Sequence, residues 1–256
     1  MIRLDSQHGR LAGLAADCLA VGLFDDNQFT DAARQLDTAS KGQLRRLRES
    51  GDLPSRPGDS LLLLQLAGVR ARRILVIGLG KRADFNRRGW RKCVAAALAA
   101  CIKGKSAHLA LAIERPAVTE LDDYYLGRAV ADLAGSALYR VNDQKSGRRP
   151  PPPALRRVSL AGEPAGARAA LSKGLVHGAA ISMGQKRLRD LGNLPGNICT
   201  PRFLAAQAKE IASGNSALRA RVFDEPQIRR LKMGCLLAVS RGSAEPPRFI
   251  VLEYRG

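Results

Sequence analysis

Apolar residues in this chain come in short runs whose spacing switches between strand-like and helix-like periods. Residues 15–24 are an apolar run that ends at Asp25-Asp26-Asn27, turn chemistry that closes a strand. Residues 30–36 and 42–48 have helical spacing with a polar face. Leu61 to Leu66 and Ile74 to Ile77 are two more apolar runs, separated by Gly68-Val69-Arg70, which predicts neighbouring strands joined by a tight turn. Gly89 to Lys103 reads as an alanine-rich helix and Leu109 to Ile113 as a strand. Asp122 to Leu138 is an amphipathic helix with apolar positions at Leu126, Val130, Leu133 and Ala137. Strands that alternate with helices imply an α/β fold, a sheet covered on both faces.

The stretch from Tyr139 to Arg149 is polar and basic, and Pro150-Pro151-Pro152-Pro153 breaks regular structure and makes a stiff connection. Arg156 to Leu160 returns to a strand pattern and is expected to close the sheet of a first domain, residues 1–164. Leu171, Leu175, Ala179 and Met183 recur at every fourth position, so residues 165–190 are predicted to form one long connecting helix. Beyond it Thr200 is a good N-cap, Pro201 suits the first helical position, and Phe203 to Ala212 continue as a helix that Gly214 can end. Ala220 to Phe223 reads as a strand and Asp224 caps a short helix through Lys232. Leu236 to Val239 and Phe249 to Tyr254 then read as two further strands, which makes residues 191–256 the start of a second α/β domain.

Composition narrows the class. With 45% hydrophobic and 25% charged residues, the chain is an ordinary globular protein rather than a disordered one. Its longest strongly apolar run, Val94 to Ile102, falls well short of the ~18 residues that cross a bilayer, and no apolar segment follows Met1-Ile2-Arg3 as in a signal peptide. No membrane partner and a cytoplasmic location are expected. Cys18, Cys93, Cys101, Cys199 and Cys235 form no C-x-x-C pair and are expected to be buried thiols, while His8, His108 and His177 are too widely spaced to suggest a zinc site. Gly78-Leu79-Gly80-Lys81-Arg82-Ala83 follows a strand and fits the G-x-G-x-x-A opening of a dinucleotide fold. No acid lies about 20 residues on to hold a ribose, so a glycine turn ending a central strand is the better reading. Backbone approach to an ADP-ribose-type ligand at Gly78-Leu79-Gly80 is the weaker alternative.

Charge adds a candidate partner. Lys and Arg number 42 against 23 Asp and Glu, a formal net charge of +19. The basic residues cluster at Arg70, Arg72 and Arg73, at Arg87, Arg88, Arg91 and Lys92, and at Arg148, Arg149, Arg156 and Arg157. Such clusters suit DNA phosphates, with binding that weakens sharply as salt rises. Aromatic residues make up 4% of the chain, which disfavours base stacking of the single-strand type.

One long string is more specific. Arg189-Asp190-Leu191-Gly192-Asn193-Leu194-Pro195-Gly196-Asn197-Ile198-Cys199-Thr200-Pro201 resembles the start of the catalytic domain of leucyl aminopeptidases. Met233-Gly234-Cys235-Leu236-Leu237-Ala238-Val239 and the segment from Gly242 to Tyr254 agree with that family in order and spacing. Leu75 to Gly80, and Tyr139-Arg140 before the prolines, resemble its N-terminal domain more loosely. The resemblance implies a macro-domain-like mixed sheet flanked by helices, a connecting helix, and the start of an α/β metallo-exopeptidase domain that removes N-terminal residues from peptides. It also implies two divalent ions, Mn or Zn, in the full-length enzyme, a homo-hexamer, and, as in some bacterial members, DNA binding. The family's metal-binding lysine and aspartates sit in V-G-K-G-x-x-F-D-x-G-G and N-T-D-A-E-G-R stretches downstream of the strand that ends at Glu253, and neither stretch occurs in these 256 residues. No residue here is therefore expected to be catalytic or to ligate metal, and the chain alone is expected to be inactive. Asp190, Asp224 and Glu253 read as a helix-end charge, an N-cap and a strand-end residue.

Overall fold

A central strand that is apolar on both faces organises the first part of the chain. The computed structural model describes residues 2–26, 28–116, 121–141, 151–162 and 165–256. Asn27, Arg148, Arg149 and Pro150 lie outside them. The chain divides into two compact units, Met1–Arg187 and Leu188–Gly256.

In the first unit, strands β1 (Arg3–Gln7), β2 (Cys18–Phe24), β3 (Ser60–Leu64), β4 (Arg73–Gly80), β5 (His108–Ala112) and β6 (Arg157–Ala161) form one sheet in the order β1-β6-β5-β2-β4-β3. All pairings are parallel except β3 with β4, the hairpin expected around Gly68. All seven residues of β2 are buried. Alternation along the strand sends Cys18 and Ala20 into one apolar layer, and Leu19, Val21 and Leu23 into the other. Parallel strands buried on both faces need crossover helices, and these supply the two layers. Helices α3 (Arg87–Lys103) and α4 (Asp123–Leu138) cover the first layer with Trp90, Val94, Leu98, Leu126 and Val130. Helices α1 (Asp31–Ala39) and α2 (Gln43–Glu49) cover the second with Ala33, Leu36 and Leu44.

Local chemistry sets the helix starts. The buried Thr30 hydroxyl donates to the Gly22 carbonyl (2.8 Å) and accepts from the Ala33 amide (3.2 Å), which fastens α1 to β2. Helix α2 begins at Gly42, which has no side chain to cap with, and the buried Asp37 carboxylate accepts the Arg45 amide instead (2.9 Å). Asn86 and Asp122 cap α3 and α4.

Helix α5 (Arg168–Gly192) packs on α4 backbone against backbone. A Cβ at Gly127 would overlap the Leu171 carbonyl oxygen, one at Gly174 the Tyr124 carbonyl, and one at Gly178 the Arg128 carbonyl. The second unit holds α6 (Pro201–Ser213), β7 (Leu218–Phe223), α7 (Glu225–Arg230), α8 (Gly234–Ser240) and β8 (Phe249–Tyr254). Strands β7 and β8 pair antiparallel in a two-stranded sheet.

Three expectations need correction. Leu236 to Val239 lies inside helix α8 rather than in a strand. The amino-terminal strand β1 is present although the sequence did not suggest it, so β6 is an inner strand and β1 forms the edge. Of the five thiols, Cys18, Cys93 and Cys101 are buried, but Cys199 is half-buried and Cys235 is exposed.

The glycine seam yields a paired prediction. Gly174→Val should lower the chain's unfolding free energy by about 1–3 kcal/mol or more, because the added methyls meet backbone that cannot yield. Gly184→Ala, on the same helix with open space around it, should be neutral or stabilise by about 0.5–1 kcal/mol. Urea denaturation of both variants checks this, and equal effects would contradict the close packing.

Candidate functional site

The basic clusters do not come together on one surface. Arg70 and Arg72 lie in the β3–β4 turn, Arg73 opens β4 and Arg157 opens β6 just after Arg156, so these five sit at the amino ends of the parallel strands. Arg87, Arg88, Arg91 and Lys92 occupy the first turns of α3, which follows the opposite, carboxyl end of β4. Several of these cations already have partners. Arg91 pairs with Asp132 (2.8 Å), Arg87 Nε donates to the Tyr125 hydroxyl (2.8 Å), Arg157 pairs with Asp5 (2.9 Å), and Arg156 donates to the Pro153 carbonyl. Arg70, Arg72, Arg88 and Lys92 are exposed and have no side-chain partner among the described residues.

Near the amino ends, a serine, a histidine and an aspartate meet in a group that sequence reading missed. The Ser159 hydroxyl donates to Asp5 Oδ1 (2.6 Å), and His108 Nε2 lies 2.8 Å from the same hydroxyl. Arg3 and Arg157 both pair with Asp5 (3.0 and 2.9 Å). The Ser159 proton is committed to the carboxylate, so the imidazole must donate its own Nε2–H to the serine oxygen. A nucleophilic serine needs the reverse arrangement, with its proton passed to an imidazole acceptor. Ser159 is also fully buried. The group is thus a polar tie across β1, β6 and β5 rather than a hydrolytic triad. Burial alone would raise the Asp5 pKa, but the hydrogen bonds from Ser159 and Arg157, with the charges of Arg157 and Arg3, hold it below the usual value. Burial, then the charge of Arg157, lowers the pKa of His108, and Asp5, the Ala15 carbonyl and Asp17 oppose this. The sequence signal was faint, since these residues are scattered over three strands and share no motif.

Gly78 and Gly80, the last glycines of β4, leave no room for a phosphate. The Gly78 amide donates to the Asp59 carbonyl and the Gly80 amide to the Ser55 carbonyl. A Cβ at Gly78 would overlap the Arg56 carbonyl oxygen, and one at Gly80 would press on the Pro57 ring. Glycine is needed here because the 55–59 segment crosses the strand closely.

The string from Arg189 to Pro201 is a helix end, a turn and a helix start. Asn193 Nδ2 donates to the Arg189 carbonyl (2.8 Å), the amides of Ile198 and Cys199 both donate to the Pro195 carbonyl (2.9 Å each), and the Thr200 hydroxyl accepts the Phe203 amide (3.2 Å). Asp224 forms a capping box with Gln227, Glu253 pairs with Arg255, and Glu245 with Arg202.

Comparison with known proteins decides the family. The model of the cytosol aminopeptidase family's N-terminal domain matches residues 20–148, and that of its catalytic domain matches residues 186–256. The chain belongs to the cytosol aminopeptidase family. A probable cytosol aminopeptidase of Ralstonia nicotianae is 41% identical over 254 residues, which cover 97% of this chain and 50% of that protein. One from Cupriavidus necator is 38% identical, covering 98% and 50%. The chain therefore spans about half the length of the curated relatives it matches. Among solved structures, the bottromycin maturation enzyme BotP in complex with Mn is 27% identical with a TM-score of 0.69, covering 94% of this chain and 46% of that one. A tomato leucine aminopeptidase mutant shares the fold at a TM-score of 0.80 and 24% identity, covering 98% and 50%.

A metallo-aminopeptidase needs several anionic donors converging on one point. Among the described residues of this family member, no group of three or more His, Cys, Asp and Glu could hold a metal ion. Its carboxylates at 224, 225, 245 and 253 are engaged in a cap or in ion pairs with arginines. The described residues do not fit a two-ion centre. Among the described residues, no helix is long and apolar enough to cross a membrane.

The polar tie makes stability depend on pH. A folded-state pKa below the unfolded one adds stability that is lost as pH falls through the folded value. His108 should erode stability once pH drops below about 6.5, and Asp5 should do so below about 3.9. His108→Gln should flatten the urea midpoint between pH 7 and about 5 while leaving the acid limb in place. An unchanged slope in that window would exclude His108 as its source.

Proposed function

We propose that the chain is the N-terminal portion of a cytoplasmic, metal-dependent leucyl aminopeptidase, a hydrolase that releases N-terminal residues from peptides. The observation that carries the reading is the catalytic-domain match over residues 186–256, which includes the string from Arg189 to Pro201. In this reading the first unit is a scaffold and the connecting helix leads into the peptidase domain. The two divalent ions, Mn or Zn, and the groups that grip them belong to sequence outside these residues, as do the peptide pocket and most of the hexamer's contacts. No step of hydrolysis is assigned to any side chain described here. The purified 256-residue chain should not hydrolyse a leucine chromogenic amide with Mn²⁺ present, and it should bind no Mn²⁺ in calorimetry. Clear turnover, or two ions held by its side chains, would refute the reading.

We infer a second reading for the same chain, phosphate-directed binding of double-stranded DNA. Exposed, unpartnered Arg70, Arg72, Arg88 and Lys92 and the net charge of +19 favour it. The distribution of these residues over two ends of the sheet argues for diffuse contacts rather than a shaped groove. A duplex mobility shift should be present at low salt, and affinity should fall about 10³-fold or more between 50 and 200 mM salt. Absence of the shift at low salt, or indifference to salt, would remove this reading.

A further inference from the structure

Beneath the turn that leads from α3 into β5, two thiols from distant parts of the sequence meet. Cys18 is the first residue of β2 and Cys101 lies in the last turn of α3, and both are buried in the layer between that helix and the sheet. The Cys18 thiol donates a hydrogen bond to the Cys101 sulfur, and Cys101 Sγ donates onward to the Ser106 carbonyl (3.9 Å). Backbone contacts hold the pair from both sides. The Ser106 amide donates to the Cys101 carbonyl (3.2 Å), while Asp17, next to Cys18, accepts the amides of Ala107 and His108 (2.9 and 3.1 Å). The buried Ser106 hydroxyl has no oxygen or nitrogen partner among the described residues and lies against the Cys101 sulfur.

A thiol must ionise before it attacks an oxidant, and burial by itself opposes this. Cys93, two turns earlier on α3, shows the ordinary case: its thiol donates to the Gly78 carbonyl (3.4 Å), and burial pushes it up to about 11. Cys101 differs. The Cys18 thiol that donates to it lowers its pKa against the effect of burial, and the Ser106 hydroxyl adds to the lowering. The same contact, followed by burial, pushes the Cys18 thiol up. Cys101 is thus the sulfur that ionises, with a second thiol already in contact. The cover over the pair is thin, since Lys103, Lys105 and Ala107 are exposed and Lys105 has φ 54°, a left-handed conformation that disfavours a side chain. Local opening of this turn admits a small oxidant without unfolding the sheet.

We propose that Cys18 and Cys101 form a redox modification site, closed into an intramolecular disulfide by hydroperoxides and reopened by thiol reductants. The Cys101 thiolate attacks one peroxide oxygen, the O–O bond breaks, and the sulfur becomes a sulfenic acid. The other oxygen takes up the proton that Cys101 released and leaves as water. The Cys18 sulfur then attacks the Cys101 sulfur, the S–S bond forms as the S–O bond breaks, and the hydroxyl leaves as water with the Cys18 proton. Two thiols lose two electrons and two protons, and one hydrogen peroxide becomes two waters. A reducing cytoplasmic poise keeps the dithiol form, so the disulfide records a rise in peroxide. The bond ties the end of α3 to the start of β2 and restricts the unfolded chain. It lies in the first unit and rests on neither reading of the chain's function.

The test is oxidation of the 256-residue chain with hydrogen peroxide, followed by blocking of free thiols and non-reducing peptide mapping. One cross-link should appear, between Cys18 and Cys101, with a loss of two hydrogens in mass, while Cys93 stays a free thiol. The urea midpoint should rise by about 1 M, and dithiothreitol should reverse both the cross-link and the rise. Cys18→Ala and Cys101→Ala should each abolish the cross-link and the rise. Mapping and reversal are read on the parent chain, so they hold even where a variant folds poorly. Recovery of Cys18 and Cys101 as free thiols after the exposed Cys235 has been oxidised would overturn the proposal. So would a cross-link confined to other cysteines, or an oxidised chain whose urea midpoint does not move.

Discussion

Everything in the first unit follows from the two-sided burial of β2. A seven-residue strand with no exposed position needs apolar cover above and below, and parallel neighbours on either side require crossovers long enough to provide it. The two layers meet this need, with β4 matching β2 by sending Leu75 and Ile77 to one layer and Ile74 and Val76 to the other. Polar groups are thereby pushed to the two ends of the strands. At the amino ends Asp17 accepts the amides of Ala107 and His108 (2.9 and 3.1 Å) and ties β5 to the start of β2. At the carboxyl ends Thr30, Asp25 and Arg48 gather around the first crossover.

The elements whose apolar residues face that core were legible in the sequence. Alternating or continuous apolar runs located β2 to β5, and the caps Thr200 and Asp224 located α6 and α7 within a residue or two. The failures share a cause. Strand β1 reads Arg-Leu-Asp-Ser-Gln: Arg3 and Asp5 serve the polar cluster and Leu4 alone packs against the core, so hydrophobic patterning gave no signal. Helix α8 is a short apolar run after a glycine, and such a run cannot be assigned to strand or helix from its period alone. β6 was found, but its place beside an undetected edge strand was not.

Charge was the least legible property. A run such as Arg87, Arg88, Arg91 and Lys92 is uniform in sequence, yet folding divides it. Arg87 and Arg91 face α4 and bond Tyr125 and Asp132, while Arg88 and Lys92 face outward. Helical spacing explains the division, since residues four apart share a face and adjacent ones do not. Arg157 likewise serves Asp5 across 152 positions of sequence, a pairing that no local window can reveal. A net charge therefore overstates the cations free to meet a polyanion.

The family resemblance is strongest where the packed interior is thinnest. In the second unit Ala205, Ala208, Ile228 and Pro247 are the buried apolar residues among those described, whereas the first unit has two extensive layers. The string from Arg189 to Pro201 consists of groups with backbone duties: an asparagine on a helix-end carbonyl, a proline whose carbonyl takes two amides, and a threonine that starts the next helix. A core position accepts many apolar side chains of similar volume, but a cap or turn accepts few residue types. Turn chemistry thus identifies a family more sharply than core composition, which is why the loosely patterned first unit was read as a fold and the short connector as a lineage.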